Sequence, residues 1–374
     1  MFSRSQTRRL ISALFLAALV NRSIAQTNPH QSRTTSFGSS GGNINDISKA
    51  FCCSGTLGSL VKDSSNVQYI LSNNHVLADT DQAAPGEDIS QPGLIDNNCR
   101  PATIVADFTV APHLGTNVDA ALAALRSGQM DSKGTILDIG VPSSTTSNAG
   151  NGTLVAKSGR TTGLTCGSVQ STNTSVKVQY QQGCNSGRKF TITYTNQVVV
   201  GGSGFSAGGD SGSLIVTQSG KHPTALLFAG SSSTTIGNPI GDVLSQVSSS
   251  LGKSVSFVGS SKPGNISCPA GAATSSSTHS APSQFGLDRA SAAKEAHVQE
   301  LMADPAVMAV GVGSSESNSA VAVVNVYVET GRAHGRIPAQ LDGVPTQIIQ
   351  TDLIRAYGWN ETARPESSCR VTPQ

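Results

Sequence analysis

The chain has 374 residues, of which 13% are charged and 4% aromatic, with 39 glycines. Its formal charge of +2 becomes −2 once the four arginines of residues 1–25 are set aside, and no Lys/Arg run remains to form the electrostatic footprint of a nucleic-acid binder. A charged fraction about half the usual share excludes a polyelectrolyte or acidic tail, and the length points to two domains, or one large domain with an appendage.

Arg4, Arg8 and Arg9 precede an apolar run from Leu10 to Val20, and Ser23-Ile24-Ala25 supplies the small residues that a signal peptidase reads. Residues 1–25 therefore read as a secretory signal. As a helix the run reaches about 16 Å and cannot cross a hydrocarbon core of about 30 Å. No later stretch is long and apolar enough to span a bilayer. The mature protein is expected outside the cell or in a periplasm, without membrane association, where cysteines can pair. Cys166 and Cys184 flank an alternating stretch, Ser168 to Gln179, with room for a hairpin or loop, and are expected to form a disulfide. Cys99 can pair with Cys52 or Cys53, and Cys268 with Cys369, which leaves one thiol over. No Cys/His spacing of a zinc site occurs, so neither a metal nor an organic cofactor is expected.

Residues 26–43 are Ser/Gly-rich and read as loose. From 44 to 259 the chain alternates short β-like runs with Gly, Asn and Ser punctuation, examples being Gly55–Val61, Thr103–Val110, Phe190–Val200 and Ala225–Ala229. Strands recurring at such intervals predict an all-β barrel or sandwich. Ile240, Val243, Leu244, Val247 and Leu251 follow helical spacing after Pro239 and predict a closing helix. Residues 260–284 are rich in Ser, Pro, Gly and Ala and read as a linker. Beyond them, residues 285–374 predict a small α+β domain: a helix near Ser291–Met302, strands at Val307–Val312 and Ala320–Val328, and another at Thr346–Gln350 after the Asp342-Gly343 turn.

Three segments carry the residue types of nucleophilic hydrolysis. Asn73-Asn74-His75-Val76 puts an imidazole just past a predicted strand. Asn117-Val118-Asp119-Ala120 opens an apolar run with an acid, and Gly208-Gly209-Asp210-Ser211-Gly212 holds a serine in a glycine-rich turn. A serine hydroxyl needs a base; imidazole titrates near neutrality; a buried carboxylate holds its tautomer and stabilises the imidazolium. His75, Asp119 and Ser211 are thus the candidate catalytic residues, with Asp107 in reserve for the acid. The turn can aim the amides of Gly209 and Ser211 at one point, as an oxyanion hole requires.

The His–Asp–Ser order, with spacings of 44 and 92 residues, is that of the chymotrypsin-like fold. The region from about Ser54 to Phe257 resembles the chymotrypsin-like serine proteases, most closely the secreted bacterial branch of α-lytic protease and the streptogrisins. The resemblance implies two six-stranded antiparallel β-barrels with a C-terminal helix, the small α+β domain being an addition. It implies a serine endopeptidase acting on protein or peptide substrates through an acyl-enzyme. Lys157-Ser158-Gly159-Arg160-Thr161-Thr162-Gly163 is similar to a stretch of that branch whose arginine is buried against the aspartate before the nucleophile, which implies an Arg160–Asp210 ion pair. Asn238-Pro239-Ile240 resembles the start of the closing helix.

The same resemblance places Phe205 at the base of the primary substrate pocket with Ser206, and makes Phe228-Ala229-Gly230 the strand that pairs with substrate backbone. An acid at 205 would attract Lys or Arg, and its absence argues against that specificity; a preference for small or medium apolar side chains is expected. Two departures stand out: no cysteine lies beside His75, and position 156, where the pattern has the disulfide partner of the next cysteine, is Ala. An esterase is disfavoured, because its serine lies between a strand and a helix with the histidine downstream. The remaining rival is a protease-like scaffold kept as a secreted binding or surface protein.

Overall fold

The computed structural model describes residues 28–49, 51–269, 281–356 and 368–370. The expected signal segment lies outside them. The first part of the chain forms β1 (Ser39–Asn43), β2 (Phe51–Cys53), β3 (Gly55–Leu57), β4 (Ser59–Asp63), β5 (Gln68–Ser72), helix α1 (Asn74–Leu77), β6 (Asp88–Gln91), β7 (Thr103–Val110) and β8 (Ala121–Leu125). Next come β9 (Leu154–Gly159), β10 (Gly163–Gln181), α2 (Gly183–Ser186), β11 (Lys189–Gly201), β12 (Leu214–Thr217), β13 (Pro223–Gly230), β14 (Thr234–Pro239), α3 (Ile240–Leu251) and β15 (Val255–Phe257). The last part contributes α4 (Gln284–Ala303), β16 (Val307–Ser314), β17 (Ala322–Glu329), β18 (Gln340–Leu341), β19 (Val344–Thr351) and β20 (Ser368–Arg370).

The strands close into two antiparallel barrels. In the first, the order β4-β5-β8-β7-β6-β1-β3 becomes a ring because β3 runs on into β4 through Gly58, and β15 adds to the edge of β4. In the second, the order β11-β14-β13-β12-β9-β10 closes because β10 also pairs with β11. Closure removes exposed edges and leaves each strand one face for a core. Leu57, Leu60, Ile70, Leu71, Val105 and Leu122 fill the first barrel. Val155, Val169, Val200, Ile215, Ala225 and Leu227 fill the second. Helix α3 buries Ile240, Val243 and Val247, one stripe at helical spacing, and ends at Gly252 in the left-handed region (φ +70°).

Two local expectations change. Ser39–Asn43, read as part of a loose segment, is a fully buried strand between β3 and β6. Its small side chains permit this: a Cβ on Gly41 would lie 2.4 Å from the Leu57 side chain. The helix expected near residue 291 starts earlier, at Gln284, because the Ser283 hydroxyl caps it by accepting from Gly286 N–H (3.1 Å).

The C-terminal strands extend the second barrel. Strand β16 pairs with the far edge of β10, Thr172 opposite Val312 and Val176 opposite Ala309; β17 pairs antiparallel with β16, and β19 parallel with β17. Helix α4 covers β16 and β17, burying Ala290, Ala293 and Leu301 against Val310, Val324 and Val326. The Asp342-Gly343 turn links β18 to β19 as expected.

The disulfides are Cys52–Cys99, Cys53–Cys184 and Cys166–Cys268. The expected Cys166–Cys184 bond does not form, because a single strand, β10, runs almost the whole way between them. At about 3.3 Å per residue such a strand carries its ends far beyond the roughly 7 Å that a disulfide tolerates between Cα atoms. The expected Cys268–Cys369 bond does not form either, since Cys268 is joined to Cys166. Cys99 takes Cys52 of its two possible partners, and Cys53–Cys184 ties the start of the first barrel to the end of β10 in the second. No helix among the described residues is long and apolar enough to cross a membrane.

Candidate active site

The site lies where the two barrels meet. Strand β5 ends at Ser72, and α1 turns His75 inward, where it is fully buried. Asp119, two residues before β8, is also fully buried and receives two bonds from His75: Nδ1 to Oδ2 at 2.6 Å, and the backbone N–H to Oδ1 at 3.2 Å. A carboxylate can only accept, so Nδ1 carries a proton in this contact. The Asp119 backbone is clamped from both sides. Asn73 Nδ2 donates to its carbonyl (2.7 Å), and its N–H donates to Asn238 Oδ1 (2.9 Å). Asp107, the reserve acid, is on β7 and is bound to Arg126 at 2.6 and 3.1 Å.

Two tyrosines complete the carboxylate's surroundings. Tyr180, at the end of β10, donates its hydroxyl to Asp119 Oδ2 at 2.9 Å, and Tyr194 from β11 donates to Tyr180 at 2.7 Å. Burial and the Asp119 charge hold both phenols well above their ordinary pKa, so they remain hydroxyl donors. Sequence reading missed them. Their one signal was alternation, since residues 176, 178 and 180 share a buried face of β10.

Ser211 sits in the turn Gly209–Gly212, which is seated on the first barrel. Thr56 N–H donates to the Ser211 carbonyl (2.8 Å), and Ser72 Oγ, three residues before His75, donates to Thr56 O (2.7 Å). Gly209 has φ +95°, a conformation that costs a side chain strain. Among the described residues neither the Gly209 nor the Ser211 amide donates to another group. The Ser211 hydroxyl donates to the carbonyl of Ala356, 3.0 Å away.

Asp210 has a different partner from the one expected. Lys157 Nζ lies 3.3 Å from Asp210 Oδ2 with both side chains fully buried, whereas Arg160 makes a bidentate pair with Asp96 at 2.7 and 2.7 Å. Lys157 lies on β9 two residues from the core residue Val155 and so on the same face, while Arg160 stands beyond the strand's end at Gly159. Asp210 also accepts from Thr161 N–H (2.8 Å), Thr162 N–H (3.1 Å), Thr162 Oγ1 (2.7 Å) and Ala207 N–H (3.0 Å). Burial alone would raise its pKa; the Lys157 charge and these hydrogen bonds outweigh burial and hold it below the ordinary value.

The residues expected at the substrate pocket divide in two. Phe205 is buried in the second barrel's core with Val155, Val200 and Leu227, and Ser206 Oγ bonds Thr235 Oγ1 at 2.5 Å. Phe228 and Ala229 pack with Tyr180, Tyr194, Ile354 and Ala356, and Gly230 makes an antiparallel bridge with Arg355. The sulfurs of Cys53 and Cys184 lie near the Asp46 carboxylate, within 4.8 Å, but are spent in a disulfide and offer no thiolate to a metal.

Four residues after His75, Asp79 has its pKa pushed up to about 6, by burial first and then by the Glu87 charge, with a hydrogen bond to Asp46 acting in opposition. A folded-state pKa above the unfolded one stabilises the fold below about pH 4, and this contribution is lost as pH rises through about 6. Asp79→Asn is therefore expected to raise unfolding free energy by roughly 2 kcal/mol at pH 7.5 and to leave it unchanged at pH 3.5. Urea unfolding at the two pH values checks this; an equal gain at both would refute it.

No family model matches the chain. No curated protein matches it either. Solved structures do. A glutamic-acid-specific serine protease is 20% identical, over 56% of this chain and 97% of that one, with a TM-score of 0.39. Protease A of Thermobifida fusca is 20% identical, over 59% of this chain and 98% of its own, with a TM-score of 0.39. A Nocardiopsis protease is 19% identical, over 58% and 97%, with a TM-score of 0.36. Each match covers nearly the whole length of the solved protease and a little over half of this chain.

Proposed function

We propose that this protein is a secreted serine endopeptidase that cleaves peptide bonds through an acyl-enzyme. The observation that carries the reading is the fully buried 2.6 Å contact of His75 Nδ1 with Asp119 Oδ2, on the wall of the cleft that Ser211 enters from the other barrel. In the proposed reaction His75 Nε2 takes the proton of Ser211 Oγ as Oγ bonds to the substrate carbonyl carbon. The oxygen of that carbonyl becomes an oxyanion held by the Gly209 and Ser211 amides, and Asp119 stabilises the imidazolium. The C–N bond then breaks as His75 returns the proton to the leaving amine. A water activated by His75 hydrolyses the ester and restores the serine. Asn73, Asn238 and Tyr180 act through Asp119 as positioning residues. The secretory signal and the three disulfides support a location outside the cytoplasm.

The test is reaction with an organophosphonate that requires an activated serine, read by mass spectrometry. The folded full chain should gain one adduct, located on Ser211, and Ser211→Ala should gain none. An adduct on another residue, or none in any folded form, would leave a protease-like binding protein as the better reading.

A further inference from the structure

Ser211 is covered by the chain's own tail. Strand β19 ends at Thr351, whose hydroxyl bonds Ser231 Oγ (2.8 Å) and Thr234 Oγ1 (3.0 Å), and the next residue, Asp352, accepts from Ser232 Oγ. From there the chain runs extended into the cleft. Arg355 N–H donates to Gly230 O and Gly230 N–H to Arg355 O, both at 3.0 Å. On the opposite side, Gln179 N–H donates to Ile354 O (2.9 Å) and Ala356 N–H to Gln179 O (3.1 Å). The segment is therefore a short strand inserted between the ends of β10 and β13. Its alternate side chains, Ile354 and Ala356, are fully buried beside Tyr180, Phe228 and Ala229.

We infer that residues 354–356 are a tethered ligand of the cleft, and that the C-terminal module acts in cis as an inhibitor of the site. This rests on the catalytic reading of Ser211 given above. A substrate carbonyl attacked by Ser211 must bring its carbon within about 3–3.5 Å of Oγ, and the space beside Oγ is already held by the Ala356 carbonyl oxygen, 3.0 Å away. Substrate and strap exclude each other. The serine hydroxyl has one proton, and while that proton points at Ala356 O it is not offered to His75. The Ala356 carbonyl receives no bond from the Gly209 or Ser211 amide, so it is held at the nucleophile without the donors that would stabilise an oxyanion. The strap is thus bound out of register for cleavage. Its tether is short and ordered, because β19 is part of a sheet that continues β10, and so its effective concentration at the cleft is high. The ligand class that the site selects is an extended peptide taking main-chain bonds on both edges, with apolar side chains at alternate positions.

The test compares the full chain with two variants. Ile354→Asp puts a charge into an apolar seat, and Arg355→Pro removes the amide that donates to Gly230. Phosphonylation rate at Ser211 and hydrogen exchange at the Gly230 amide are measured in each. Both variants should react at least tenfold faster than the parent and lose protection at Gly230. A synthetic peptide of residues 350–356 added to either variant should reverse both changes. Equal phosphonylation rates with protection lost would overturn inhibition, and protection retained in both folded variants would overturn docking. If no form is phosphonylated while protection at Gly230 falls and the peptide restores it, the strap's docking stands and the catalytic reading fails.

Discussion

Replacing Asp119 by Ala is expected to lower kcat for a peptide ester about 10⁴-fold, the scale on which removal of a triad carboxylate acts elsewhere. In the proposed reaction the carboxylate has three roles at once. It accepts Nδ1–H and so leaves Nε2 as the base; it accepts the His75 backbone N–H; and it offsets the charge that His75 acquires when Ser211 gives up its proton. Alanine removes all three. Tyr180→Phe is expected to cost much less, about tenfold in kcat with KM unchanged, which corresponds to roughly 1.4 kcal/mol. It deletes one charge-assisted hydrogen bond to Asp119 Oδ2 while the imidazole contact remains. The same change strands the buried Tyr194 hydroxyl, which otherwise donates to Tyr180. The double variant Tyr180→Phe/Tyr194→Phe should therefore recover stability without recovering rate. A recovery of kcat in the double variant would show that the tyrosines matter for packing alone.

Lys157→Met is expected to destabilise the fold by about 3–5 kcal/mol, the usual result of removing one partner from a buried ion pair. Lys157 and Asp210 are both fully buried, and Lys157 Nζ also donates to Gly163 O (3.0 Å) and to Thr162 Oγ1. Methionine fills most of the volume, so what remains is the burial penalty of a carboxylate with no cation beside it. The pH dependence gives the cause. The Asp210 pKa is depressed in the folded protein, so its contribution is present above the unfolded value and is lost as pH falls through the folded one. The stability gap between parent and variant should accordingly be wide at pH 7 and narrow below about pH 4. Urea unfolding across that range is the measurement, and a gap independent of pH would assign the loss to packing. Because Asp210 precedes Ser211, the variant should also loosen the Gly209–Gly212 turn. Arg160→Met should leave the Asp210 pKa unchanged, since its guanidinium is held by Asp96.

Much of the architecture was legible along the chain because it rests on local patterns. Short alternating runs broken by Gly and Asn foreshadowed antiparallel barrels, and the spacing of Ile240, Val243 and Val247 placed α3. The resemblance implies a cation beside Asp210, and Lys157 stands in the same motif as the arginine it names. The choice of Arg160 failed because β9 alternates. Residue 157 faces inward, and residue 160 is already in the turn, so which cation enters depends on strand phase at the barrel's end. The loose reading of Ser39–Asn43 failed for a related reason. Serine and glycine signal flexibility in isolation, yet they are also what fits a strand pressed between two others at van der Waals distance.

The sequence by itself determined the chemical types and their order: an imidazole, an acid, a serine in a glycine turn, strand-length apolar runs, and a distinct module near the C-terminus. These depend on residue identity and on periodicities of two and 3.6, which need no knowledge of distant neighbours. Only the tertiary structure decided which cysteines meet, which cation neutralises Asp210, which phenol supports Asp119, and that residues 354–356 lie across Ser211. Each of those is a contact between segments separated by tens to well over a hundred residues. Such contacts are settled by how two closed barrels and an added sheet edge pack, and by the room left between them, which no local pattern encodes.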